Sequence, residues 1–184
     1  MNILKLYYEK IIKYDLINKF LYNNVKELPR IKKIVLNFGC KNFELKNLAP
    51  SLLALELITN KKIRVTKAKK ANILLKIRKG HPVGCSVLLR NNNVYKFLDK
   101  LLIEIIPNLK DFKGINSNKK NFDKTNISFT LKELITFKEL EIYFYLFNKL
   151  PPLNITIVTN TKTRKELLYL INSLKFYFIK NLQL

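Results

Sequence analysis

The chain is short of the residues on which most catalytic and metal sites depend. It has one histidine, His81, two cysteines, Cys40 and Cys85, four glycines, one methionine and no tryptophan. Two cysteines that far apart cannot build a disulfide framework, and neither forms a Cys-x-x-Cys or His-x-x-x-His pattern with His81, so the expectation is a reducing compartment and no metal. Gly39 closes a turn without the further glycines of a phosphate-cradling loop. No apolar run reaches the roughly 20 residues that cross a bilayer, because Lys or Glu interrupts each one. The first residues lack the apolar stretch of a secretory signal and carry Glu9 and Asp15, unlike an Arg-rich transit peptide, so the protein is expected to work where it is made.

Acid is the scarcest class relative to its counterpart. Asp and Glu total 13 against 35 Lys and Arg in 184 residues, a formal net charge of +22. With 48% hydrophobic residues, 12 Phe and 9 Tyr, the chain can bury a core, which excludes a disordered basic tail and points to one folded domain, residues 1–184, with a polyanionic partner. Of the basic residues 30 are Lys and 5 Arg, beside 22 Asn, 21 Ile and only 4 Ala. That bias follows AT-rich codons and suggests an organelle genome.

The charge is not spread evenly. Residues 57–98 hold 11 Lys and Arg and no Asp or Glu, a footprint that attracts phosphate and releases counterions. A solvated basic face is the bland alternative, but 42 residues without an acid argue against it. Membrane-surface binding fits poorly, because the segment lacks amphipathic helical spacing.

Apolar spacing predicts a helix over 3–22, stopped by Asn23-Asn24 and Leu28-Pro29, then a strand around 34–38. A second helix is expected within 45–58, with Pro50 at its first turn. The basic segment reads as three short strands, 63–66, 73–78 and 83–90, with Gly80-His81-Pro82 as a turn. Asn91-Asn92-Asn93 would cap a helix running to Ile106 with Pro107 as its stop, and 110–126 reads as a long exposed loop. Strands at 126–131 and 153–159 and a helix at 163–174 complete the series. The expected class is α+β: a mixed or antiparallel sheet with helices on one face and the other face open to a large polar partner.

Catalytic chemistry has weak support. A Cys–His pair would need Cys85 beside His81, four residues away along an expected strand. Glu139 and Glu141 could share one side of a strand and serve two-metal phosphodiester chemistry. An RNA-processing enzyme is thus one alternative, and a free regulatory RNA-binding module another; no catalytic residue and no cofactor is assigned.

Five segments in register resemble the bacterial-type fifth large-subunit ribosomal protein, over about residues 5–178. They are Leu28-Pro29-Arg30 with Ile34-Val35-Leu36-Asn37-Phe38-Gly39; Val65-Thr66-Lys67-Ala68-Lys69-Lys70; Lys76-Ile77-Arg78-Lys79-Gly80-His81-Pro82-Val83-Gly84-Cys85; Pro107 to Ile115 with Asp111-Phe112-Lys113-Gly114; and Asn126-Ile127-Ser128-Phe129 with Glu133, followed by Ile155 to Thr159. The chain departs from the family pattern at Lys41, Lys61, Leu88, Thr130 and Lys138.

The resemblance implies a non-enzymatic constituent of the large subunit's central protuberance, with 5S rRNA, large-subunit rRNA and neighbouring large-subunit proteins as partners. It makes Arg30, Asn37, Lys61, Lys62, Arg64, Thr66, Lys67 and Arg90 rRNA-binding candidates. Lys69, Lys70, Asn72, Lys76, Arg78 and Lys79 belong to a loop that would reach the elbow of the P-site tRNA. Lys110, Asp111 and Lys113 would form a bridge to the thirteenth small-subunit protein. With the codon bias, the implied place is a ribosome in the mitochondrial matrix, with the bacterial cytoplasm or a plastid as alternatives.

Overall fold

A computed structural model describes residues 2–40, 45–109, 114 and 123–176, with side chains from residue 48 in the helix that begins at Leu45. Among the described residues five strands, β1 (Ile31–Gly39), β2 (Arg64–Lys67), β3 (Pro82–Arg90), β4 (Asn126–Leu131) and β5 (Leu153–Thr159), form an antiparallel sheet in the order β2-β3-β1-β5-β4. Helices accompany it, so the class is α+β as expected, and the sheet is antiparallel rather than mixed. The chain divides into two compact units, Met1–Ile34 with Leu89–Phe129 and Thr156–Leu184, and Val35–Leu88 with Thr130–Ile155.

In the first unit, helix α1 runs through residues 3–19 as Ile3–Tyr7, a wider π-type stretch Tyr8–Ile12, and Lys13–Lys19. Leu4, Ile12 and Leu16 are buried at helical spacing. One of its unpaired first-turn donors is satisfied at long range: Leu4 N–H donates to Asp99 Oδ1 (2.9 Å), a carboxylate at the positive end of the helix dipole. The helix stops before the expected residue 22, because Phe20 takes an extended conformation and sets its ring against Tyr169 (5.8 Å, edge-on). Tertiary aromatic packing there overrides local helical preference.

Helix α3 spans residues 92–108 as Asn92–Asp99, a π-type stretch Lys100–Ile105, and Ile106–Asn108, and it packs on α1. Two expectations change here. Asn91 precedes the helix, but its side chain makes no capping bond; with φ 54° and ψ −133° its backbone is neither helical nor in the left-handed helical region. Pro107 lies inside the last turn instead of stopping the helix at Ile106, since the widened turn before it accommodates the ring. The last described helix, α6 (Arg164–Ser173), opens on a Thr-x-x-Glu box: Thr163 Oγ1 accepts from Glu166 N–H (3.3 Å) and Glu166 Oε2 accepts from Lys162 N–H (3.0 Å).

In the second unit, α2 (Leu45–Thr59) starts five residues before Pro50 instead of at it. Pro50 is the sixth residue of this helix, past the four N–H groups that have no intrahelical partner, so it removes one ladder bond. Two short helices, α4 (Lys138–Glu141) and α5 (Phe144–Phe147), pack on α2 and on each other, with Leu140 and Phe147 buried. For their region, between β4 and β5, sequence supports only the expectation of a carboxylate pair on a strand; the structure makes it helical. In the expected strand 73–78 only Ile77 pairs, in an isolated bridge to Asn72, because Ile73, Leu74 and Leu75 form a turn with no further strand to lie against.

Strand alternation sets the faces. Ile34, Leu36 and Phe38 of β1, Val87 and Leu89 of β3, Ile127, Phe129 and Leu131 of β4, and Leu153, Ile155 and Ile157 of β5 are all buried. Each buried Leu, Ile or Phe contributes about 1.5–3 kcal/mol to stability, and this alternation fixes which side chains remain on the other face.

Candidate nucleic-acid interface

The open-face positions are set by register. In the second unit Arg64 is paired with Ser86 and Thr66 with Gly84, so Arg64, Thr66 and Ser86 share a side opposite buried Cys85 and Val87. Asn37 stands half-exposed between buried Leu36 and Phe38. Thr130 Oγ1 donates to Asn154 Oδ1 (2.8 Å) across β4 and β5. In the first unit the corresponding positions are half-exposed Lys33, Asn126, Ser128 and Thr156, with Arg90 exposed, and the Ser128 and Thr156 hydroxyls lie 3.0 Å apart. These side chains both donate and accept, or carry positive charge, and the five strands together contain no Asp or Glu.

Gly84 is required by packing. A Cβ there would collide with the Phe38 carbonyl oxygen and lie 3.1 Å from Thr66 Oγ1, so β1 and β3 approach closely only because this position has no side chain.

From Lys67, the last residue of β2, to the start of β3 the chain projects as an arm. Its base is closed by Ala68 N–H to the His81 carbonyl (2.8 Å) and Gly80 N–H to the Ala68 carbonyl (2.9 Å), with Gly80 at φ 90°. Further out, Asn72 and Ile77 exchange both backbone bonds (2.8 and 3.0 Å). At the tip Lys76 N–H donates to the Ile73 carbonyl (3.0 Å), Asn72 Oδ1 accepts from Leu75 N–H (3.3 Å), and Lys76 takes φ 52°. Lys67, Lys69, Lys70, Lys76, Arg78 and Lys79 are all exposed along this arm, and Ile73 and Leu74 at its tip are 93% and 94% exposed.

The structure thus brings Asn37, Arg64, Thr66 and Ser86 to one side of the sheet, and Lys67, Lys69, Lys70, Asn72, Lys76, Arg78 and Lys79 onto the arm. Lys61 and Lys62 lie in the link between α2 and β2. Arg30 is placed apart from these, in the first unit just before β1; its backbone N–H donates to Asn160 Oδ1 (2.6 Å) while the residue is exposed. Arg90 also falls in the first unit. Lys110, Asp111 and Lys113 lie outside the described residues, as does most of the expected loop 110–126. Sequence reasoning misses Lys33, Ser86, Asn126, Ser128, Thr130, Asn154 and Thr156, although strand parity marks each as opposite a buried neighbour.

The remaining chemical groups have structural surroundings. Burial pushes the Cys85 thiol up to about 12, with nearby Cys40 adding to the shift, so it is a protonated core residue at neutral pH. Glu139 and Glu141 sit two apart on helix α4, where such neighbours point to different sides; the shared-face carboxylate pair expected on a strand is not formed. Among the described residues no group of three or more His, Cys, Asp or Glu could hold a metal ion. No helix of the described residues is long and apolar enough to cross a membrane.

The amino-acid sequence is similar to proteins of one family. A profile of the C-terminus of the ribosomal L5 family matches residues 82–178. The large ribosomal subunit protein uL5m of Reclinomonas americana is 45% identical over 168 residues, 90% of this chain and 92% of that protein. The uL5 proteins of Wigglesworthia glossinidia brevipalpis and Nitrosomonas europaea are 40% and 39% identical, over 95% and 94% of this chain and 97% and 96% of theirs. With more than half of its length matched by the profile and relatives aligned nearly end to end, the chain belongs to the ribosomal L5 (uL5) family.

Proposed function

We propose that this chain, as a non-enzymatic structural constituent of the large ribosomal subunit, binds rRNA through the open face of its strands and extends its basic arm toward tRNA. The observation that carries the reading is the absence of Asp and Glu from every described strand, beside an arm with six exposed Lys and Arg. Hydroxyl and amide side chains on a rigid sheet suit sugar and base edges, and the arm's charges suit phosphates of an RNA whose sequence changes from one cycle to the next. Asn37, Arg64, Thr66 and Ser86 hold rRNA in this reading, with Arg30, Lys61, Lys62, Lys67 and Arg90 adding phosphate contacts. Lys69, Lys70, Asn72, Lys76, Arg78 and Lys79 face the elbow of the P-site tRNA.

The finer assignments are 5S rRNA as the sheet's partner, a contact with the thirteenth small-subunit protein through Lys110, Asp111 and Lys113, and one functional domain over residues 1–184. They are supported by the resemblance of the motifs that carry these residues. The mitochondrial matrix is supported by the 45% identity to a uL5m protein and by the codon bias, while bacterial relatives at 40% keep the bacterial cytoplasm as the alternative.

Crosslinking of native particles, with sequencing of the attached RNA and sedimentation of the same sample, tests the reading. Crosslinks from the arm to tRNA and from β1 to 5S rRNA in large-subunit fractions are expected. Large-subunit sedimentation with crosslinks only to the large rRNA would remove the 5S partner, and slow sedimentation with unrelated RNA would replace the ribosomal role by a free RNA-binding module.

A further inference from the structure

The tip of the arm carries side chains that its charge leaves unused. Ile73 and Leu74 are 93% and 94% exposed and Leu75 57%, so nothing in the described chain covers them. They sit on a turn of defined shape: Lys76 N–H donates to the Ile73 carbonyl, Asn72 Oδ1 accepts from Leu75 N–H, and the Asn72–Ile77 bridge closes its base. Three adjacent aliphatic groups held in water on one hydrogen-bonded turn form a small contact surface, and burial against a partner lowers their free energy.

The surroundings select that partner. Lys69 and Lys70 precede the turn, Lys76, Arg78 and Lys79 close or follow it, all exposed, and no Asp or Glu occurs from residue 57 to 98. The partner is therefore a polyanion that also offers an apolar surface. RNA meets both conditions, with phosphates for the cations and nucleobase faces for the aliphatic groups. An anionic lipid surface meets them as well, but two observations favour RNA. The arm grows out of β2, whose Arg64 and Thr66 share a side with Ser86, and the chain belongs to a family of large-subunit ribosomal proteins. Residues 67–81 also lack the Trp, Tyr or Phe that seat a peripheral segment among lipid headgroups.

We propose that Ile73 and Leu74 pack against an uncovered nucleobase face, so that the arm selects RNA by its folding as well as by its charge. In a regular A-form helix each base is covered by its neighbours, and the deep, narrow major groove excludes side chains. Aliphatic groups reach a base only where the fold of the RNA has left one unstacked or has ended a stack. There they exclude water and make dispersion contacts without hydrogen bonds. Such contact tolerates any base, which suits a partner exchanged in every cycle. The lysines then supply the salt-dependent part of the affinity and the tip a part that salt leaves unchanged.

This rests on the proposed contact of the arm with tRNA, and the test separates the two. Large subunits are assembled with Ile73→Ala and Leu74→Ala combined, or with Lys69→Ala and Lys70→Ala combined, and deacylated tRNA is bound across a salt series. All four positions are exposed, so the urea midpoints of both variants should match the unaltered chain. The aliphatic pair is expected to lower affinity about tenfold at every salt concentration without changing the slope, and the lysine pair to lower the slope by about 1–2. In a third sample, a diazirine analogue of leucine at position 74 is expected to attach to a nucleobase of tRNA. A crosslink to an rRNA base, with tRNA affinity intact in both variants, would overturn the tRNA contact and leave the base contact standing. The inference is overturned if position 74 attaches to ribose, to protein, to lipid or to nothing. It is also overturned if the aliphatic pair reduces the salt slope, or leaves affinity intact while the crosslink goes to tRNA.

Discussion

Two regions use the same residue types for opposite ends. Near Asn160, in the first unit, polar groups are consumed by the fold: Asn160 Nδ2 donates to the Leu28 carbonyl (2.9 Å), its Oδ1 accepts from Arg30 N–H, and its own N–H donates to the Arg30 carbonyl (3.2 Å). Thr159 and Thr161 are buried and donate to the Thr125 and Lys124 carbonyls (2.9 and 2.7 Å). On the arm of the second unit, the Asn72 side-chain oxygen accepts within its own turn and the lysines stand in solvent. The first arrangement gives stability and the second leaves hydrogen-bonding and charge capacity for another molecule. A polar residue type therefore says little until its backbone neighbours are known.

That contrast can be broken from either side. Replacing Lys67, Lys69 and Lys70 together with Ala is expected to reduce the dependence of log affinity on log salt by about 2–3, since each phosphate contact contributes roughly 0.7–0.9. Filter binding of rRNA fragments over a salt series measures this, and an unchanged slope would take the arm out of the interface. The same variant should keep its urea midpoint, because surface substitutions of this kind usually stay within about 0.5 kcal/mol. Asn160→Ala should show the reverse, losing about 1–2 kcal/mol of stability through the bonds it makes to the part-buried Leu28 carbonyl and the exposed Arg30 N–H, with the salt slope unchanged. Gly84→Ala is expected to cost about 1–3 kcal/mol because its methyl meets the Phe38 backbone, and Gly39→Ala, with open space around it, much less. Both are read from urea denaturation.

The smallest effect concerns alkaline pH. Cys85 is raised from 9.0 to about 12 by burial, and Tyr8, whose hydroxyl donates to the Pro29 carbonyl (2.8 Å), from 10.0 to about 12, again by burial first. Both groups are neutral in either state at lower pH, so their contribution is fully present below the unfolded values and is lost as pH rises through the folded ones. Stability should begin to fall above about pH 9, and Cys85→Ala should delay that onset toward pH 10, measured by denaturant midpoints across the range. An unshifted onset would show that Cys85 is not the first group to titrate.

Much of this is legible in the sequence because it rests on short-range pattern. Alternation at Ile34, Leu36 and Phe38 and at Ile155 and Ile157 places two strands, and Thr163 with Glu166 marks the start of α6. The misses have long-range causes. Phe20 leaves the helix for Tyr169, far away in sequence, and residues 73–78 carry apolar side chains with no neighbouring strand to bury them. At the site, charge counting finds the arm, whereas uncharged Ser86, Ser128 and Thr156 require strand parity, which a one-residue uncertainty in register erases. Glu139 and Glu141 mislead because alternation of acid and apolar residues over so short a stretch fits either period.

The carboxylate of Asp99 that caps the first helix is made 95 residues after Leu4, and Asn160 follows Arg30 by 130. At about 5–20 residues per second, the beginning of the chain waits roughly 5–20 s for its cap, and longer for the strand-end clasp. During synthesis this protein is therefore a cationic, incompletely closed chain emerging among ribosomal RNAs. The backbone around Arg30 is closed only after Asn160 has been made, so agents that shield nascent polycations should matter more to its yield than agents that speed folding of the finished chain.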